Sequence, residues 1–328
     1  MTNPLYILET LPTTDQAAMR EFDDRYLASI GAAQPPSWSD LGDLFPTSAP
    51  MVTFPISSLA LKYVQVQGEP RFKTLLSKSF DIKSEEFSCG IEAKLLDLTT
   101  QVFAYRNWQL GPSRMMIAEA NFRNESIVTL LEAGASTAWV DGANFFSATH
   151  LSDLNNPSST TWSNYESAGT DVVSISNLQA QVTAMQGVLD ENGKKIGANP
   201  DTIIVPTGKY EPLKNLLAQN LMLAGGTSTS VTSAATSNPY VGRFNVVHAP
   251  ELTDANDWYL VDSKLRASSG LAPWISVRYT APNPSLQLRK WDESSDFFKD
   301  TGRIKVSSHI WYGFALGFPH AIRKVVGA

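Results

Sequence analysis

Between Thr14 and Ile30 apolar residues recur at helical spacing (Met19, Phe22, Tyr26, Ile30), which predicts a short helix capped by Thr13 or Thr14. Around it Pro4, Pro12, Pro35, Pro36, Pro46, Pro50 and Pro55 interrupt helices and ladders alike. Residues 1–55 are therefore expected to form an extended arm that lies on something other than a core of its own. From Leu59 the period changes to two. Leu59, Leu61 and Tyr63 alternate with Ala60 and Lys62, then Val64 and Val66 with Gln65 and Gln67. The apolar face thus switches after Tyr63, as a bulge would make it. A polar tip follows (Gln67, Gly68, Glu69, Pro70, Arg71), and Phe87, Cys89, Ile91 and Ala93 alternate with Ser88, Gly90 and Glu92 on the way back. The pattern predicts a protruding hairpin whose tip, with Phe72, Leu75 and Leu76, needs a partner surface.

The clearest helix is expected over residues 112–133. Pro112 opens it where a missing N–H costs nothing, and Met116, Ala120, Ile127 and Leu131 fall on one face. Gly134 is expected to end it in the left-handed conformation. At 1.5 Å per residue the rod is about 33 Å long. From 176 to 220 the pattern becomes α/β: a helix near Ile175–Leu189, a turn at Asn192 and Gly193, the strand Thr202–Val205, then a helix near Tyr210–Gln219. Residues 225–240 are a Gly/Ser/Thr/Ala stretch and read as a loop. Strands are expected at Phe244–His248, Trp258–Asp262, Ser276–Thr280, Ser285–Trp291 and Arg303–Trp311, and no internal repeat is visible.

Composition narrows the function classes. Charged residues are only 18% of the chain against 43% hydrophobic, which fits a surface largely covered by neighbours. A net charge of −6 without any Lys/Arg run excludes an electrostatic clamp on DNA; contact with nucleic acid would be weak and local. The single cysteine, Cys89, rules out internal disulfides and is read as an inert buried side chain in a reducing compartment. No run of 18 apolar residues spans a membrane, and Met1 to Thr10 has no secretory pattern.

Catalytic and metal chemistry has no positive signal. His150, His248, His309 and His320 stand in no ligand spacing and read as structural or surface residues. No GxSxG elbow occurs, although a serine triad assembled from distant residues stays open. Pro206-Thr207-Gly208-Lys209 lacks the earlier glycine and the following Ser/Thr of a phosphate loop, so Thr207 or Gly208 reads as a helix cap. Glu85, Glu86, Asp292, Glu293, Asp296 and Asp300 supply carboxylates with no spacing that implies a metal; solvated faces or charges between subunits explain them.

At Asp141 the chain resembles a known family. Asp141-Gly142-Ala143-Asn144-Phe145-Phe146, with His150 after it, is similar to the "DG..FF...H" segment of the Mu-like major head subunit family of tailed bacteriophages. Pro200 to Val205 and Pro206 resemble its "P..L.VP" step, with Ile203 in place of the Leu. Trp258-Tyr259-Leu260-Val261-Asp262 resembles its "WYL.D" strand, and order and spacing agree over roughly 141–262. N-terminal to 110 the likeness is one of architecture only.

The resemblance implies an α+β Hong Kong 97-type major capsid fold. On that reading residues 1–55 are the N-terminal arm, 56–98 the extended E-loop hairpin and 99–169 the peripheral domain with its spine helix at 112–133. Residues 170–270 are the axial domain, and the 271–328 strands return to both. It implies no enzyme and no cofactor, but a homo-oligomeric shell of pentamers and hexamers around double-stranded DNA in the virion, assembled in the bacterial cytoplasm. Portal, scaffolding and decoration proteins are the further partners implied. No segment resembling a fused scaffold precedes the hairpin, so a separate scaffold or none is expected. Gln67, Glu69, Arg71, Phe72, Lys73 and Leu75 at the tip are expected to meet acidic groups such as Asp292, Glu293 and Asp296 of a neighbour. The alternatives are a nanocompartment shell of the same fold, enclosing an enzyme, and an α/β hydrolytic enzyme.

Overall fold

The computed structural model describes residues 14–31, 37–56, 78–154, 156–190, 192–223, 235–279 and 287–327. Helix α1 (Asp15–Gly31) is capped by Thr14, whose Oγ1 accepts from the Ala17 N–H at 3.2 Å. Met19, Phe22 and Tyr26 are buried against the chain's own body, where Trp108 Nε1 donates to the Ala18 carbonyl at 3.1 Å. Strand β1 (Asp43–Thr47) adds in parallel to a sheet, and Trp274 Nε1 donates to the Ser39 carbonyl. The expected free arm is thus corrected for residues 14–31 and 37–56. Its prolines interrupt regular structure, but Met19, Phe22, Tyr26 and Ile56 find burial on the chain's own body, while Leu44, Phe45 and Met51 stay exposed.

Strands β2 (Met51–Ile56) and β3 (Lys78–Lys83) pair antiparallel with Ile56 opposite Lys78, and the connection between them, including the expected tip, lies outside the described residues. The return strand is reassigned. Phe87 to Ala93 belong to β4 (Glu85–Lys94), which pairs over ten positions with a late strand, from Glu85 opposite Tyr312 to Lys94 opposite Arg303. Period-two alternation marks a strand but not its partner, and the partner is more than 200 residues away in sequence.

Two short helices, α2 (Leu95–Thr100) and α3 (Val102–Gln109), lead into the spine helix α4 (Gly111–Ala133). Met115, Met116, Glu119, Ala120, Arg123, Ile127, Val128 and Leu131 form its buried stripe, one turn apart along one face. Gly134 does end the helix, but in the right-handed region (φ −60°), which corrects the expected left-handed stop. Glycine is needed there for space: a Cβ would meet the Phe146 ring at 2.7 Å.

Small strands β5 (His150–Leu151), β6 (Thr161–Trp162) and β7 (Tyr165–Glu166) lead to α5 (Ile175–Gln186), β8 (Thr202–Val205) and α6 (Thr207–Ala218). Thr207 is the first residue of α6, behind Pro206, and not its cap; its hydroxyl bonds His248 Nε2 at 2.9 Å. Then come β9 (Leu221–Leu223), β10 (Ala235–Ser237), β11 (Asn245–His248), β12 (Trp258–Val261), α7 (Ser263–Ser269) and β13 (Trp274–Tyr279). The chain closes with β14 (Gln287–Trp291), α8 (Asp296–Thr301), β15 (Arg303–Leu316) and β16 (Ile322–Val325).

The first five-stranded sheet is organised by β15. One edge of this long strand takes β14 and then β13, with β1 beyond, while the other edge takes β4. The second sheet has the order β11-β8-β12-β16-β7. Its central strands are buried on both faces. Ile203, Val205, Trp258 and Leu260 face α5 and α6, whereas Ile204, Tyr259 and Val261 face the end of the spine helix, Phe145, Phe146 and Trp274.

The junction between the sheets is closed by a buried polar node built from the 141–150 segment. Asp141 Oδ2 lies 2.7 Å from His150 Nδ1, with both side chains fully buried. His150 Nε2 faces the Phe145 carbonyl at 3.0 Å and Asn164 Oδ1 at 3.1 Å. The Asn164 amide orientation is set by its own partners, because Oδ1 accepts from the Ser147 N–H while Nδ2 donates to the Phe145 and Pro319 carbonyls. Both imidazole nitrogens therefore face oxygen acceptors. Burial pushes the Asp141 carboxyl up, but the His150 hydrogen bond and charge, with the Ala143 N–H, outweigh it and hold it below the usual carboxylate range. Trp162 stacks between His150 and His320, at 4.7 and 4.5 Å between ring centroids, and Trp139 meets both histidines near edge-on. Burial, reinforced by the His150 charge, pushes His320 down to about 3.

Three outcomes follow from this packing. Replacing His150 by Leu strands a buried carboxylate and is expected to cost about 3–5 kcal/mol in chemical denaturation, as breaking one side of a buried pair does. Gly134→Ala drives a methyl group into Phe146 and should cost about 1–3 kcal/mol by the same measurement. The unfolded chain protonates its histidines near pH 6.5, whereas folded His320 stays neutral down to about 3. Unfolded molecules bind the extra proton within that window, so stability falls as pH drops through it. Denaturation midpoints between pH 7 and pH 4 should show that slope, and His320→Phe should flatten it by one proton.

Candidate functional site

The remaining motif residues are structural. Pro200, Val205 and Pro206 are buried around β8, and Trp258 and Tyr259 are fully buried in β12. Trp258 Nε1 donates to the Thr170 carbonyl at 2.9 Å, while burial pushes the Tyr259 hydroxyl far above its usual range. Asp262 caps α7 by accepting from Lys264 and Leu265 N–H groups, and its other oxygen takes the Asn199 N–H at 2.6 Å. Gly142 supplies a left-handed turn (φ 88°) that brings Asp141 back to accept from Ala143. The resemblance segments thus mark where the chain folds tightly. Near Lys209 no phosphate cradle forms; its ammonium pairs with Asp171 at 3.2 Å.

Of the expected contact residues, Gln67, Glu69, Arg71, Phe72, Lys73 and Leu75 lie outside the described residues. Asp292, Glu293 and Asp296 do come together at the start of α8, on the surface. Two of them are engaged locally. Asp292 accepts from the Ser294 N–H and hydroxyl, which hold its carboxyl below the usual range, and Asp296 pairs with Lys299 at 2.9 Å. Glu86, also read as a surface carboxylate, pairs with Arg289 and His309.

One arrangement has the order of a catalytic relay. Ser307 Oγ lies 2.8 Å from His309 Nε2, and His309 Nδ1 lies 2.7 Å from Glu86 Oε1. The strand backbone around it is already paired. Ser307 sits mid-strand between β4 and β14, opposite Gly90 and Arg289, so its backbone is committed to the ladders. The trio is a polar brace across the sheet. Among the described residues, no group of three or more His, Cys, Asp or Glu side chains could hold a metal, and no helix is long and apolar enough to cross a membrane.

What the surface does offer is apolar area. Leu96, Val102, Phe103, Leu110 and Ile117 are exposed along α2, α3 and the first half of α4, Phe103 at 80%. Sequence reasoning missed these residues because α2 and α3 are too short to show a period. The available signal was the pairs Leu95-Leu96 and Val102-Phe103, which a six- or eight-residue helix cannot bury together. Beside them a cleft of about 180 Å³ opens between α4 and the β4–β15 pair, lined by Phe87, Cys89, Met115, Glu119, Phe122 and Ile310 among others. Cys89 is exposed at this cleft, which corrects its expected burial: it shares the inward face of β4 with Phe87 and Ile91, but the gap under the helix leaves it open to solvent.

The comparisons with known proteins place the chain as a whole. No curated protein matches the chain by sequence. By structure it is similar to a chain of the procapsid of bacteriophage JBD30, at 13% identity and TM-score 0.51, over 94% of this chain and 73% of that one. It is similar to a chain of Microbacterium phage Oxtober96 at 9% identity and TM-score 0.52, over 90% and 93%. The capsid of the cyanophage P-SCSP1u gives 11% identity and TM-score 0.51, over 90% of each. These likenesses show the fold. A family model of the Mu-like prophage major head subunit gpT matches residues 16–174, reaching further toward the N-terminus than the motifs at 141–262 suggested. A second family model, phage capsid protein, matches residues 96–325, from α2 to the end of β16. Spanning well over half of the sequence and all of the second sheet, that match means the chain belongs to the phage capsid protein family.

Proposed function

We propose that many copies of this chain assemble, as pentamers and hexamers, into the icosahedral shell of a tailed-phage head around double-stranded DNA. The observation that carries the reading is the phage capsid match over residues 96–325 on a fold shared with phage capsid and procapsid chains over nine-tenths of its length. Both matching family models describe phage head proteins, which favours a genome container over a nanocompartment. The same matches favour a shell protein over a hydrolytic enzyme.

On this reading residues 1–55 are the arm, 56–98 the E-loop region, 99–169 the peripheral domain, 170–270 the axial domain and 271–328 the strands that return to both. The ends of the 57–77 connection are held side by side by the Ile56–Lys78 pairing, so the connection leaves and re-enters the body at one place. Its tip, from Gln67 to Leu76, lies across a neighbouring copy with Phe72 and Leu75 as anchors, while Arg71 and Lys73 meet Asp292, Glu293 and Asp296. A net charge of −6 keeps contact with packaged DNA weak and non-specific. Portal, scaffolding and decoration proteins complete the head, which is assembled in the cytoplasm of a bacterial host.

Deleting residues 66–77 should leave folded, soluble subunits with an unchanged thermal midpoint that do not close into particles under negative-stain electron microscopy. Intact shells from that variant would remove the tip from the assembly contact.

A further inference from the structure

Phe103, Leu110 and Ile117 stand at intervals of seven residues and are all exposed. Leu110, between α3 and α4, keeps right-handed helical torsions (φ −80°, ψ −9°). Its N–H donates to the Arg106 carbonyl at 3.1 Å, and its carbonyl accepts from the Arg114 N–H at 3.0 Å. The two helices therefore present one surface, on which residues seven apart are two turns apart to within about 20°. From Phe103 to Ile117 the apolar line is about 21 Å long at 1.5 Å per residue. Its flanks carry one sign of charge. Arg106 lies three residues after Phe103 and Arg114 four after Leu110, which sets them on opposite sides of the line. Asn107, Ser113 and Asn121 are the other exposed polar residues between Val102 and Asn121, and the carboxylate in that span, Glu119, is buried on the far face. Along the Arg114 side runs a cleft of about 430 Å³, with Ile91, Ala93, Ala104 and Trp108 in its walls and Lys94 beside them. Its carboxylates are engaged within the chain, Glu92 by Arg303 and Asp97 by Gln101 Nε2 at 3.3 Å.

Apolar residues at heptad spacing are the seam on which a second helix packs, and the flanking charges select which helix fits. We infer that the α3–α4 face is the docking seam for an acidic amphipathic helix of a second protein, with apolar residues on Phe103, Leu110 and Ile117 and carboxylates toward Arg106 and Arg114. Another copy of this chain fits the seam poorly. Two copies crossed antiparallel with Leu110 on Leu110 set Arg106 against Arg114, and a parallel pair sets each arginine against itself; like charges so placed oppose association. Among the described helices none offers the complement: α1 is acidic but turns Met19, Phe22 and Tyr26 into its own body, and α8 has six residues. The inference goes beyond the shell-forming reading and stands on this helical face alone.

The probe is a fluorescein-labelled peptide of four heptads, with Leu at the two seam positions of each heptad and Glu at the flanking ones. A twin peptide carries Lys in place of every Glu. Fluorescence anisotropy is read against full-length subunits separated from any particles by gel filtration. The Glu peptide should bind about tenfold tighter than its twin or better, against the trend that the chain's net charge of −6 would set. Leu110→Ser should weaken it about tenfold or more while circular dichroism and thermal midpoint stay those of the parent, as loss of a central anchor does. Arg106→Glu with Arg114→Glu should reverse the preference toward the Lys twin. Binding of neither peptide, equal binding of both, or affinity untouched by Leu110→Ser overturns the proposal. A subunit dimer in sedimentation velocity that Leu110→Ser abolishes assigns the face to a second copy, and overturns it too.

Discussion

Burial of the second sheet on both faces is the constraint that orders this molecule. Because adjacent residues of a strand point to opposite sides, Ile203 and Ile204, or Tyr259 and Leu260, serve two different cores. A register slip of one residue in β8 or β12 would exchange the two sets and place side chains sized for the helices of one core against the spine helix and Trp274 of the other. The sheet thus fixes the α5–α6 side of the molecule against the peripheral side without a flexible linker between them.

Where the two sides meet, apolar packing alone would leave the 141–164 segment with buried backbone groups to satisfy. The Asp141–His150–Asn164 chain does that work, reaching the carbonyls of Phe145 and Pro319 and the N–H of Ser147. Packed between Trp139 and Trp162, it is a polar junction held by directed hydrogen bonds. A shell subunit needs such a joint, because angles between neighbours are set by the shape of each copy.

The peripheral side is less self-sufficient. Its sheet hangs on the single long strand β15, braced at the surface by Glu86, His309 and Ser307, and its helices leave Phe103, Leu110 and Ile117 uncovered. Both buried charges of the spine helix are paired within the chain, Arg123 with Asp40 and Glu119 with Arg278. Uncovered apolar area, first expected of the arm and hairpin, is thus found on this helical face.

Local periodicity alone was enough to place α1, α4, β8, β12 and the late strands, because amphipathic spacing is written into neighbouring residues such as Met116, Ala120, Ile127 and Leu131. The tight motif around Asp141 likewise carries the family resemblance in its sequence. Tertiary structure alone decided the rest. It showed that Phe87 to Ala93 pair with β15, that the arm helix packs on Trp108, that Gly134 makes room for Phe146, and that Cys89 is open. Each of these depends on a partner distant in the chain, and a residue's own neighbours carry no record of which remote surface will come to lie against it.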